Sequence, residues 1–197
     1  TAIDELRVAR DLILRCHREV RSEGCSAPLP PIGVMIEVPA AVYLAGPFAE
    51  EADFLSVGSN DLTQYLLAVD RGNARVAELY QALHPAVLAA LEHIIEAAHQ
   101  RDKSVSICGE LAGNPLAAVL LLGMGVDVLS MNSTNLLRVK WVLRAFTFRE
   151  ARRLLKAALA MESADAIEGH LREALAAKQL SRALVRGVRP SALPVAP

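Results

Sequence analysis

Four short apolar runs set the strongest limit on what this chain can fold into. They occupy residues 32–37, 53–58, 104–108 and 126–131, each ends on polar residues, and helical patterns separate them. The runs are continuous rather than alternating, the pattern of parallel strands covered on both faces. Polar residues at the carboxyl ends of such strands are where open α/β sheets and β/α barrels place their chemistry. From Ile32 to Arg144 there are 113 residues. That is about 28 per unit, against about 31 for an eight-unit barrel of about 250 residues. The spacing fits a barrel and equally a doubly wound sheet.

The remaining segments read as helices. Residues 2–23 form an amphipathic pattern with Ile3, Leu6, Ala9, Ile13 and Cys16 on one face, stopped by Gly24 and by Pro28, Pro30 and Pro31. Helices are predicted at residues 40–50, 62–69, 85–101, 114–122 and 135–144, with Pro85 and Asn114-Pro115 as start signals. Two Ala/Leu-rich helices follow between residues 147 and 180, and residues 181–197 read as a disordered tail. Gly123 and Gly125 lie after a helix and before a strand. A dinucleotide fingerprint needs the reverse order, so they read as a tight turn.

Composition narrows the classes. The 197 residues are 53% hydrophobic and only 4% aromatic, so the core is aliphatic and a disordered chain is excluded. Lys and Arg number 21 against 22 acids, a net charge of -1 that calls for neither nucleic acid nor an anionic membrane. The longest run of apolar residues and glycine, residues 116–126, is too short to span a bilayer. No signal-peptide pattern opens the sequence, and three cysteines suit free thiols in a reducing cytoplasm.

Three strand ends present Glu37, Asn60-Asp61 and Cys108-Gly109-Glu110. Two carboxylates from adjacent strands are hard oxygen ligands suited to Mg²⁺ or Mn²⁺, and equally suited to favouring the starts of the helices that follow. Arg71, in a loop, could clamp a phosphate or form a surface ion pair. Cys108 could donate a proton or sit buried and inert. The five histidines show no triad with Ser or Cys, and no Walker-type loop is present.

Four stretches carry a family resemblance: residues 33–40 (GVMIEVPA), 53–65 (DFLSVGSNDLTQY), 67–73 (LAVDRGN) and 108–113 (CGELAG). They resemble the phosphoenolpyruvate-utilising enzymes, most of all the C-terminal (β/α)8 barrel of the enzyme I family, the phosphoenolpyruvate–protein phosphotransferases. Leu129–Asn132 and Arg138–Lys140 look more like that family's nitrogen-related form. Ser59 stands where the family pattern has Thr, which keeps the hydroxyl.

The resemblance implies an α/β fold, the last four or so βα units of a TIM barrel over residues 1–180. It implies Mg²⁺ on Glu37 and Asp61, phosphate contacts from Asn60 and Arg71, and Cys108 as the acid that protonates the enolate carbon. It leaves Glu110 without a role. The implied partners are phosphoenolpyruvate and pyruvate, a histidine-containing phosphocarrier protein and a second subunit in a cytoplasmic homodimer. The accepting histidine, the carrier-binding domain and the first half of the barrel are missing from these residues, so the chain alone is expected not to complete the transfer. Two other readings share the motifs: a non-catalytic dimerisation or regulatory module, and a relative of pyruvate phosphate dikinase or phosphoenolpyruvate synthase.

Overall fold

A computed structural model describes residues 1–184. The architecture is α/β: four parallel strands in the order β1-β2-β3-β4, with helices between them, a portion of a β/α barrel. The strands are β1 (Gly33–Ile36), β2 (Phe54–Gly58), β3 (Val105–Cys108) and β4 (Val128–Ser130). All four apolar runs are therefore strands, each shorter than the run that announced it. Ile36, Leu55, Val57, Val105 and Ile107 are fully buried, but they alternate with half-buried Ser56 and Ser106, and Met35 is 49% exposed, so only the helix-covered face is closed and the expected burial of both faces is not met. Two aspartates pin the amino ends of the ladder. Asp53 accepts the Ile32 N–H at 2.7 Å, and Asp127 accepts the Val105 N–H at 2.8 Å.

Helix α1 (Ile3–Ser22) lies against the sheet's helical layer without burying any residue fully. Its half-buried positions are Ile3, Leu6, Arg10, Leu14 and His17. The expected face of Ala9, Ile13 and Cys16 is turned to solvent instead. Apolar residues surround this helix, so periodicity alone does not select a face; Ile3 and Leu6 pack against the core, and Arg7 pairs with Glu51 at 2.7 Å. Between β1 and β2 the predicted single helix is two, α2 (Pro39–Tyr43) and α3 (Ala45–Glu51), divided at Leu44.

Helix α4 (Ser59–Leu66) follows β2 without a connecting loop, so Asn60 and Asp61 are helical rather than strand-terminal. Helix α5 (Pro85–His99) starts at His84, whose Nδ1 accepts the Ala86 N–H at 3.1 Å. Helix α6 (Pro115–Met124) buries nine of its ten residues between the sheet and the outer helix α8 (Phe148–Leu159). At its end Gly125 adopts φ +84, the left-handed cap that confirms the tight turn. A Cβ on Gly123 would stand 2.6 Å from the Ala151 carbonyl oxygen, so only glycine lets α6 and α8 approach so closely.

Helix α7 (Ser133–Ala145) is capped by Asn132, which accepts the Thr134 N–H at 3.1 Å. Helix α9 (Ala164–Ala177) and a 3₁₀ turn (Ser181–Leu184) complete the outer layer. Ala183 in that turn is fully buried and Leu184 packs against the core, so the start of the segment assigned to a disordered tail is ordered structure. The remainder of that tail lies outside the described residues.

A rim of polar groups at the carboxyl ends of the strands

The strand register decides what meets at this rim. Ile36 lies opposite Val57, so Glu37 emerges beside Gly58. A Cβ on Gly58 would stand 2.7 Å from Glu37 Oε2 and 2.9 Å from Glu37 Cβ. The carboxylate therefore occupies the space that any other side chain at position 58 would fill. Glu37 caps nothing: the N-cap of α2 is Val38, and no side chain bonds to that helix start.

Next along the rim, β2 and β3 are tied through side chains of α4. Ser59, almost wholly buried, donates its hydroxyl to the Cys108 carbonyl at 2.6 Å. Asn60 Oδ1 accepts the Glu110 N–H at 3.0 Å. Thr63, fully buried, donates to the Ser59 carbonyl at 2.8 Å and holds that turn shut. Gly109 follows the end of β3 with φ +99, a conformation L side chains avoid. Its missing side chain leaves room for Ser59 Oγ and Asn60 Oδ1, which a Cβ would meet at 2.6 and 3.0 Å.

Cys108 is half-buried, and its thiol donates to the Val57 carbonyl at 3.4 Å. Asp61 is half-exposed in the first turn of α4, where the helix dipole favours a carboxylate.

Arg71 sits on the connection between α4 and α5. Two local turns shape it: Asp70 Oδ1 accepts the Gly72 N–H at 2.8 Å, and Asn73 Oδ1 accepts the Arg75 N–H at 3.1 Å. The Arg71 N–H reaches Gln64 Oε1 at 3.4 Å, and the side chain is exposed. Tyr80 fastens this connection to the rim, its hydroxyl donating to the Asn60 carbonyl at 3.5 Å. Burial pushes the Tyr80 hydroxyl above its ordinary pKa of 10.0, and the charges of Glu110 and Asp61 push the same way. A hydrogen bond with Thr63 and the charge of Arg71 pull against them. One phenol thus senses Asp61, Arg71 and Glu110 together.

The structure gathers Glu37, Asn60, Asp61 and Cys108 on one rim, with Arg71 on the connection that Tyr80 anchors there. Tyr80 escaped sequence reasoning; its only signal was that it is one of three tyrosines in the chain. Among the described residues no three His, Cys, Asp or Glu side chains cluster as a metal cage. Two carboxylates nevertheless suit Mg²⁺, which takes one or two and completes its shell with water and substrate phosphate. Carboxylates, amide, guanidinium and thiol together can bind a phosphorylated acid and deliver one proton to it.

Known proteins resemble this chain along most of its length. A family described as PEP-utilising enzyme, PEP-binding domain, matches residues 1–148. A Salmonella typhimurium protein named phosphoenolpyruvate-dependent phosphotransferase system is 43% identical over 188 residues. Its Escherichia coli counterpart of the same name is 42% identical over 188 residues. A phosphoenolpyruvate-protein phosphotransferase of Bacillus sp. is 40% identical over 166 residues. The alignments cover 95%, 95% and 84% of this chain but only 25%, 25% and 29% of those proteins. The chain spans between a quarter and a third of the length of these relatives.

Proposed function

This chain belongs to the PEP-binding domain family of PEP-utilising enzymes, and from that membership we propose that it supplies part of the phosphoenolpyruvate site of a phosphoenolpyruvate–protein phosphotransferase. The observation that carries the reading is the cross-strand rim, where Glu37 leans over Gly58 while Ser59 and Asn60 bond to the Cys108–Glu110 segment.

In this reading Glu37 and Asp61 hold Mg²⁺, or Mn²⁺ in its place. Held there, such an ion would supply charge neutralisation at the phosphate, the main demand of phosphoryl transfer. Asn60 and Arg71 orient the phosphate. The bond between phosphorus and the enol oxygen breaks as a bond to a histidine nitrogen forms, on a domain outside these residues. The enolate left behind takes the Cys108 proton on its terminal carbon: the S–H bond breaks, a C–H bond forms and pyruvate leaves. Solvent then reprotonates the thiolate. The half-buried thiol, held as a donor, suits that step.

Further features follow from the same family reading. We place the chain in the nitrogen-related branch on Leu129–Asn132 and Arg138–Lys140. We also infer that its parent passes the phosphoryl group to a histidine-containing phosphocarrier protein and works as a homodimer in the cytoplasm. Among the described residues no helix is long and apolar enough to cross a membrane.

The test is Cys108→Ala in the full-length parent. Pyruvate release is expected to fall about 10²–10⁴-fold, the range of a lost general acid, with phosphoenolpyruvate binding unchanged. Retained turnover would rule out the acid role, and lost binding would show that the thiol serves structure instead.

A further inference from the structure

A second surface has nothing to do with the rim. Seven of the 21 Lys and Arg residues fall between Arg138 and Lys156, against a single acid, Glu150. The chain as a whole carries -1, so this segment of +6 is a marked local excess. Four of the seven, Arg149, Arg152, Arg153 and Lys156, recur at the i, i+3, i+4, i+7 spacing of one helical face on α8.

They line a groove of about 520 Å³ beside α5. Among the described residues Arg149, Arg153 and Lys156 make no side-chain hydrogen bond or ion pair. Arg152 alone is tied down, donating to the Gly123 carbonyl at 3.3 Å. Glu150 is turned away to cap α8 and to pair with Lys178 at 2.8 Å. The one acid in the groove is Glu92 on α5, which burial drives towards its neutral form, helped by Glu96 and opposed by Arg152.

The groove also has an apolar floor. Phe148 is 55% exposed within it, and Leu159 lies at its far end. The stems of the four cations extend the apolar lining while their heads stay in water.

Its position matters as much as its charge. Helix α8 packs on α6, which follows β3, and on α5, which precedes it. The sheet's open edges are β1 and β4. The groove therefore lies over the middle of the helical layer, away from the edges where further barrel strands would pair.

We propose that the α5–α8 groove docks an acidic amphipathic helix of a protein partner. A two-turn cationic stripe beside an apolar floor matches a helix that carries carboxylates at i, i+3, i+4 and i+7 along one flank and an apolar anchor on its inner face. Nucleic acid and polyphosphate would use the cations but leave the floor unfilled.

The test uses the full chain and a fluorescent synthetic helix with glutamates at that spacing and a Leu/Phe inner face. The probes for comparison are a scrambled peptide of equal composition, inorganic polyphosphate and phosphatidylglycerol vesicles. The peptide is expected to bind at least tenfold more tightly than its scramble. Binding should fall at least tenfold in Arg149→Glu/Arg153→Glu/Lys156→Glu, and severalfold in the milder Arg149→Gln/Arg153→Gln/Lys156→Gln and in Phe148→Ala. Circular dichroism melts show that each variant folds. Equal binding of peptide and scramble, or affinity unchanged in the Gln variant, overturns the proposal. So does tighter binding of polyphosphate or vesicles than of the peptide.

Discussion

Replacing Gly58 by alanine tests the rim at its tightest point. Gly58 has φ -79, a conformation alanine adopts freely, so any effect is steric. The new Cβ would stand 2.7 Å from Glu37 Oε2, 2.9 Å from Glu37 Cβ and 3.3 Å from Met35 Sδ. The sulfur can swing aside, and so can the carboxylate tip. The Glu37 Cβ cannot, because the β1 backbone fixes it. Moving from 2.9 Å to the 3.4 Å at which ordinary contact begins requires about half an ångström of separation between the two strand ends. Overpacking of this kind costs about 1–3 kcal/mol. For a chain of this size that is a fall of about 2–12 °C in Tm. The displaced carboxylate should also weaken Mn²⁺ binding about tenfold or more, measured by electron paramagnetic resonance with phosphoenolpyruvate present. Gly169→Ala is the control. It is exposed on α9 with nothing within 4 Å of its Cβ, and should stabilise by about 0.5–1 kcal/mol. A Gly58→Ala protein that melts with the wild type and titrates Mn²⁺ unchanged refutes the placement of Glu37.

Ser59→Ala removes the 2.6 Å bond to the Cys108 carbonyl from a buried position, leaving an unpaired acceptor. Urea unfolding should show a loss of about 1–3 kcal/mol; an unchanged midpoint would mean that the bond contributes nothing. Acid should reveal the α8 cap. A hydrogen bond from Lys178, then those from Thr147, hold Glu150 at about 2, below its ordinary 4.5. A depressed carboxylate stabilises the fold above its unfolded pKa and stops doing so as pH falls through its folded one. The Tm difference between wild type and Glu150→Gln should therefore be widest at pH 5 and close towards pH 2. A constant difference across that range would show that the carboxylate is not depressed.

The strands were legible because their buried positions are uniformly aliphatic, as at Leu55 and Val57 and at Val105 and Ile107, with a half-buried serine between each pair. Helix starts were legible where Asn114 and Pro115 announce them, since cap chemistry is local. Relations between distant segments were not. Helix α1 meets α3 through the Arg7–Glu51 pair, between residues far apart in the sequence. The break at Leu44, by contrast, has a local cause in Pro47, which has no N–H to bond back to the Tyr43 carbonyl and whose ring crowds it. For the candidate site, the residue types and their order were readable along the chain. What could not be read was how the parts hold each other: the Asn60–Glu110 and Ser59–Cys108 bonds join residues about 50 apart. Tyr80, reaching back 20 residues to Asn60, was hidden for the same reason.

Those cross-strand bonds also bear on how such a rim can vary. Gly109 admits no side chain because Ser59 and Asn60 occupy its space, while Ser59 and Asn60 are held by the strand that Gly109 terminates. A change at any one position alters what is tolerated at the other two. The three should behave epistatically, so that combined substitutions depart from the sum of the single ones. A swap of serine for threonine at position 59 keeps the hydroxyl and stays inside that constraint. Drift at this rim is confined to moves that preserve every bond at once.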